Sequence, residues 1–155
     1  MDTLSERAAE KFVSGCNCAQ AVVWPFCDEI GLEADAAMRI ACGFGGGIAK
    51  RQEVCGAVTG GIMVLGMILG EGKEQDRSTT EETYAKGAEF ISRFESEHGS
   101  YNCLELLDGC DLNTEEGRKR VKDRDLRNET CKACVQTAVE ILEEMIKNLS
   151  ACRGS

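Results

Sequence analysis

The sequence predicts an all-α fold, a compact single domain of about six helices around a buried, glycine-rich central helix. Three observations carry that expectation. No stretch shows sustained period-two alternation bounded by turn residues, the mark of a half-buried strand. Proline occurs once in 155 residues, at Pro25, so helices are permitted almost everywhere. Apolar residues recur at helical spacing over long segments, while Val54–Gly70 runs 17 residues without a charge. The length is that of one domain, taken as residues 1–150 with a fraying tail at 151–155. A chain of this size buries about 70% of its unfolded surface and needs no covalent staple to fold.

The first helix is predicted at Thr3–Val13 and stops at Ser14-Gly15. The second starts after Asn17, a good N-cap, and runs to Ile30, with Gly31 as its stop and a kink at Pro25. The third spans Ala34–Gly43 and dissolves into Gly43-Phe-Gly-Gly-Gly47. The fourth is the apolar stretch Val54–Leu69. Its spacings Gly56-x-x-x-Gly60 and Gly66-x-x-x-Gly70 allow close helix approach. A polar loop, Gly70–Ser78, leads into a long fifth helix, Thr79–His98, whose core stripe is read as Tyr84, Ala88, Ile91 and Phe94. A short turn at Cys103–Leu107 and a charged segment at Thr114–Arg127 follow. The last helix, Cys131–Leu149, carries Val135, Ala138, Leu142, Met145 and Leu149 on one face.

Composition excludes several functions. Eighteen basic against 27 acidic residues give a net charge of -9, which opposes the counterion displacement that nucleic-acid binding requires. Eight aromatic residues (one Trp, two Tyr, five Phe) are too few for a base-stacking platform. The apolar stretch is short for a bilayer span, which takes about 20 residues, so membrane association is not expected. The polar, acidic start Met1–Arg7 lacks the pattern of a secretory signal, and the expected compartment is the cytoplasm. Thiols stay reduced there, so ten cysteines read better as metal ligands or redox groups than as a disulfide framework. One histidine, His98, leaves no His-rich zinc, facial-triad or bis-His haem site within the chain. His98 itself is expected to be structural, a cation at the C-terminal end of its helix.

Four cysteines from distant places fall at predicted helix starts: Cys18 after Asn17, Cys103 after Asn102, Cys131 after Thr130, and Cys55 in the first turn of the fourth helix. The helix dipole favours negative charge there, so all four thiols are expected to be acidified. Four thiolates suit one iron–sulfur cluster or one tetrahedral zinc. Cys27, Cys42 and Cys152 read as small hydrophobes or bystanders. Cys16, Cys110 and Cys134 are left open, with Cys134 on the same helix side as Cys131.

These residues resemble the C_GCAxxG_C_C family of redox-active proteins. The likeness rests on Asn17-Cys-Ala-Gln-Ala-Val22, on Gly43-x-Gly-Gly-Gly47 running to Val54-Cys-Gly-Ala-Val-Thr-Gly60, on Asn102-Cys-x-Glu-Leu-Leu107 with Gly-Cys-Asp-Leu112, and on Cys131. It covers residues 10 to 147. The family's shared cysteines match Cys18, Cys55, Cys103 and Cys131. The resemblance implies a compact helical domain with a cysteine-based redox or iron–sulfur site. Related domains are joined to cytochrome modules, which points toward electron transfer. The sequence departs from the family pattern at Cys16, where an aromatic is expected, and at Asp108, an extra residue before Gly109.

The leading expectation is therefore a redox protein binding an iron–sulfur cluster through Cys18, Cys55, Cys103 and Cys131. Gly45, Gly46, Gly47 and Gly56 would bring backbone close to it and keep side chains out. Three alternatives stand beside it. One is a cluster-free thiol/disulfide oxidoreductase or switch, with Cys131 nucleophilic and Cys134 or Cys103 resolving; a thioredoxin-type motif would need strands around it. Another is a structural zinc module, although ligands spaced by 37, 48 and 28 positions lack paired C-x-x-C knuckles. The third is a phosphate cradle at Gly43–Gly47 with Lys50-Arg51, which lacks the P-loop spacing. The run Arg118–Arg127 reads as a solvated face, or else as a dock for an acidic redox partner. Whether the chain is an enzyme, which protein exchanges electrons with it, and whether it forms a homodimer are not readable.

Overall fold

The computed structural model describes residues 1–74 and 76–153. Gln75, in the predicted polar loop, and Gly154 and Ser155, in the predicted tail, lie outside the described residues. The chain is all-helical, with one isolated antiparallel bridge between Val54 and Asn102. Eight helical segments are present among the described residues, where the sequence predicts about six. They are α1 (Leu4–Val13), α2 (Cys18–Val23, carried on by a 3-10 turn at Trp24–Phe26 and a last turn at Cys27–Ile30), α3 (Ala34–Ala41), α4 (Gly56–Leu69), α5 (Arg77–His98), α6 (Cys103–Leu106), α7 (Glu115–Asp123) and α8 (Lys132–Arg153). The additional two are α6 and α7, expected only as a turn and a charged segment. Each has its own cap: Asn102 accepts from the Glu105 amide and Thr114 from the Gly117 amide. The last helix is regular to Arg153, past the point where the tail was expected to fray.

The kink expected at Pro25 is the 3-10 turn, where proline's missing N–H is harmless. Gly31, at φ +65°, closes this helix. The core is built from α1, α2, α4, α5 and α8, with Phe12, Val22, Phe26, Val58, Leu65 and Leu142 buried in it. Helix α4 packs on α2 through glycine: a Cβ at Gly60 would lie 2.8 Å from the Ala19 carbonyl oxygen. On its other side the Phe90 ring sits directly on Gly61. That contact corrects the stripe expected for α5. Gly87, Phe90 and Phe94 are buried, while Tyr84 is 67% exposed and Ala88 also faces out. The close approach at Gly61 decides which side of α5 turns inward. The stripe expected on the last helix is buried at Val135, Ala138, Leu142 and Met145. No described helix is long and apolar enough to cross a membrane.

Candidate functional site, a thiol-lined cavity

Each site cysteine is placed by a local device. Asn17 and Gln20 form a reciprocal cap at the start of α2, each side chain accepting from the other's amide at 3.0 Å, and Cys18 is the first helical residue. Asn17 Nδ2 also donates to the Cys42 carbonyl, tying the end of α3 to this corner. Cys55 occupies the N-cap position of α4, which starts two residues later than expected. Its amide donates to the Tyr101 carbonyl, and the Cys103 amide donates to the Glu53 carbonyl. This short antiparallel tie sets Cys55 and Cys103 side by side, though 48 positions apart. The expected Thr130 cap is absent, because a π-helical turn, Arg127–Cys131, runs straight into α8. Cys131 is thus held within a continuous helix, not at its start, and Cys134 follows one turn later. Such π turns concentrate at functional sites.

Cys18, Cys55, Cys103, Cys131 and Cys134 line one cavity of about 660 Å³. Cys42 lies on its rim and is exposed. Of these six, Cys134 was read from its i, i+3 spacing as a resolving partner of Cys131 in the dithiol alternative, and Cys42, read as a bystander, is the one missed, since only the chain's path brings the end of α3 to the site.

The thiols work on one another. Cys55 is held below the usual thiol range, first by a hydrogen bond from Cys134 and then, against the cost of burial, by the Ala57 and Val58 amides. Cys131 is lowered by a hydrogen bond from Cys18, with burial opposing and the Arg127 cation assisting. The donors move the other way. Cys18 is raised by its bond to Cys131, by burial and by the neighbouring thiols, and Cys134 by its bond to Cys55, then burial. Cys103 is pushed up to about 12, chiefly by burial. The uniform acidification expected from helix dipoles is therefore corrected. Two of the four helix-start candidates are acidified and two are not, because thiol–thiol bonding and burial outweigh a screened dipole.

The glycine loop sits against this wall. A Cβ on Gly47 would lie 2.6 Å from the Cys103 Cβ, and one on Gly56 3.0 Å from the Cys18 Cβ. At Gly45 it would lie 2.8 Å from Asn17 Nδ2, and at Gly46 2.8 Å from the Lys50 Cγ. Gly46, Gly47, Ile48, Ala49 and Lys50 all have φ between +50° and +69°, so the loop is a left-handed turn. Side chains there cost about 1–2 kcal/mol per residue, and such strain persists where surrounding contacts fix it. Here those contacts are the Gln52 and Glu53 amides, which donate to the carbonyls of Gly46 and Gly47 at 2.9 Å.

The remaining cysteines stay outside the cavity wall. Cys27 and Cys110 are buried, Cys16 is half-buried and Cys152 is exposed. His98 contacts Thr137 Oγ1 at 2.9 Å and stacks near Phe94. Burial lowers its pKa, so the expected cation is disfavoured.

A cluster can be tested against this wall by its donors and its space. Five thiols face the cavity, and no carboxylate or imidazole lines it. The four glycines hold backbone where a Cβ would intrude. Among the described residues, no three Cys, His, Asp or Glu side chains converge as a group that could hold a metal ion. The metal-ligating side chains in the lining are thiols alone, the donor type an iron–sulfur cluster takes.

A family model described as "Putative redox-active protein (C_GCAxxG_C_C)" matches residues 16–145. No curated protein and no solved structure matches the chain.

Proposed function

The chain belongs to this C_GCAxxG_C_C family of redox-active proteins, and on that premise we propose that it is a redox protein whose cavity holds an iron–sulfur cluster through Cys18, Cys55, Cys103 and Cys131. The observation that carries the reading is that four cysteines, scattered over 113 positions of sequence from Cys18 to Cys131, line one glycine-walled cavity. When bound, such a cluster supplies a one-electron acceptor and donor. The chain's own residues do the rest. Cys55 and Cys131 reach the thiolate form most readily, and the Arg127 cation offsets charge beside Cys131. Gly47 and Gly56 admit backbone to the wall, which tunes potential by placing amide dipoles near sulfur. Electron transfer or redox sensing follows from such a site.

Single Cys→Ser variants test the ligand set, with iron and acid-labile sulfide assayed per chain after anaerobic purification. Serine at Cys18, Cys55, Cys103 or Cys131 is expected to remove most of both, and serine at Cys134 to leave a shifted but present chromophore. Full iron and sulfide in all four ligand variants would overturn the assignment.

The thiol pairs favour a second reading, a cluster-free dithiol switch. Each pair joins an acidified thiol to a raised one, the asymmetry of an attacking and a resolving cysteine. The bonding runs between helices, Cys18 to Cys131 and Cys134 to Cys55. In this reading two thiols lose two protons and two electrons to a disulfide oxidant, which leaves as a dithiol. Thiol titration then falls by two per bond formed and recovers with reductant. An all-thiolate zinc site is the third possibility and would show as one oxygen-stable zinc per chain.

A further inference from the structure

Charge is distributed unevenly between this protein and its cavity. The chain carries 27 acidic against 18 basic residues, yet Lys50, Arg118 and Arg127 line the cavity and no Asp or Glu does. None of the three joins an ion pair among the described residues. Arg127 is committed to the thiol side. It donates to the carbonyls of Phe12 and Cys16, lies 4.1 Å over the Phe12 ring, and lowers Cys131. Lys50 and Arg118 have no such duty toward the thiols. Arg118 spends one N–H on the Leu112 carbonyl at 3.0 Å, which fixes its stem and leaves other donors of its fork unassigned. Lys50 is pinned from behind. Asn113 donates to its carbonyl at 2.8 Å, its φ is +58°, and its side chain crosses Gly46 where a Cβ would clash. Lys50 and Arg118 line the cavity and stay exposed to solvent, with the strained backbone at Lys50 fixing its side chain against Gly46.

Apolar residues Phe12, Leu106, Leu107, Leu112 and Val121 line the same cavity, with Leu107, Leu112 and Val121 clustered beside Cys103 and Cys131. A volume of about 660 Å³ lies within the range of small-molecule sites, which are mostly apolar with a few placed polar groups. It exceeds what a cluster of a few inorganic atoms would fill.

We propose that the cavity also binds a small organic anion with an apolar body, its charge held by Lys50 and Arg118 and its body against Leu112 and Val121, beside the thiol wall. This goes beyond the redox reading and does not depend on whether the thiols hold a cluster.

The test uses the full chain purified without oxygen, with 2-naphthoate as probe and naphthalene-2-carboxamide as its neutral counterpart, by calorimetry. Naphthoate is expected to bind, about tenfold or more tighter than the amide, a difference of about 1.4 kcal/mol or more. Its affinity should fall as salt rises. The double variant Lys50→Gln/Arg118→Gln is expected to remove the preference for the anion and leave amide binding unchanged. The control Lys119→Gln, whose Nζ bonds Asp123 outside the cavity, should bind as the parent does. If the double variant unfolds, either single variant carries the same expectation at smaller size. Equal binding of acid and amide, no binding of naphthoate in the millimolar range, or an unaltered preference in the folded variants overturns the proposal. Iron, sulfide and thiol counts on the same samples separate the two ideas. Colourless protein that prefers naphthoate sinks the cluster and keeps the anion site. Loss of iron in the Lys50/Arg118 variants assigns those cations to the cluster's charge and sinks the anion site.

Discussion

On one side of the cavity, Phe12, Phe26, Phe90, Phe94 and Leu142 are fully buried in a core drawn from α1, α2, α4, α5 and α8. On the other, Cys103, Leu107, Cys110 and Leu126 form a small cluster with only Leu112, Val121 and Cys131 packed against it. The large side is held by apolar area and regular helix. The small side is held by polar ties and irregular backbone: Gln52, 5% exposed, donates to the Cys110 carbonyl and accepts from the Leu112 amide. Of the described non-glycine residues with positive φ, Lys50 and Gln52 are tied to this small side by hydrogen bonds with Asn113, Cys110 and Leu112, and Asp108 and Asp125 adjoin Leu107 and Leu126 in sequence. Cys131 packs against both clusters. The cavity is the place where the two do not close on each other. The difference teaches that stability and chemistry are separated in space, with regular packing on one side and strain on the side that faces the thiols.

The comparison breaks most visibly at Phe90. Phe90→Ala removes a fully buried ring and is expected to cost about 3–5 kcal/mol in denaturant unfolding, while thiol reactivity in the native state stays as in the parent. Altered cavity thiols in that variant would show that the two sides are one unit. Gln52→Ala acts on the other side. It leaves a buried carbonyl and amide unpaired, at about 2 kcal/mol, and should speed hydrogen exchange at Leu112 and alkylation of Cys103 before it affects the core. Uniform loosening of both sides would contradict the separation. Asn17→Ala loses the cap of α2 and its tie to Cys42, about 1 kcal/mol, with Cys18 becoming more reactive as the corner loosens.

The smallest effect is pH dependence at His98. Its pKa is lowered in the fold, so the unfolded chain binds more protons below about pH 6.5, the ordinary histidine value. The stability from the neutral ring is present above that value and is lost as pH falls through it toward the folded value. Denaturation midpoints of the parent should drop on acidification from neutrality by more than those of His98→Gln; equal drops would rule the residue out.

The helices were legible because capping and spacing are local. Asn17 and Asn102 each cap where the sequence places them, and Pro25 and Gly31 interrupt as their backbones require. Thr130 did not cap, because Leu126 is buried and draws the chain into helix before Cys131. The stripe of α5 was misread because its register depends on Phe90 meeting Gly61, a contact between helices that no single helix's pattern contains. Four of the cavity's cysteines were visible as helix-start positions and as family positions. Their acid strengths were not, since these depend on which thiol bonds which across the cavity. Cys42 and Arg118 reach the site by tertiary path alone, whereas Lys50 follows the glycine cluster that the sequence singles out.

The most direct test of the thiol cavity is a visible spectrum of the unmodified chain, purified and kept without oxygen, read together with the intact mass of the folded protein. A broad visible absorption, with a mass excess equal to iron plus sulfide that disappears on denaturation, is the predicted result. A colourless chain at its bare sequence mass, unchanged after anaerobic incubation with iron, sulfide and reductant, would contradict it.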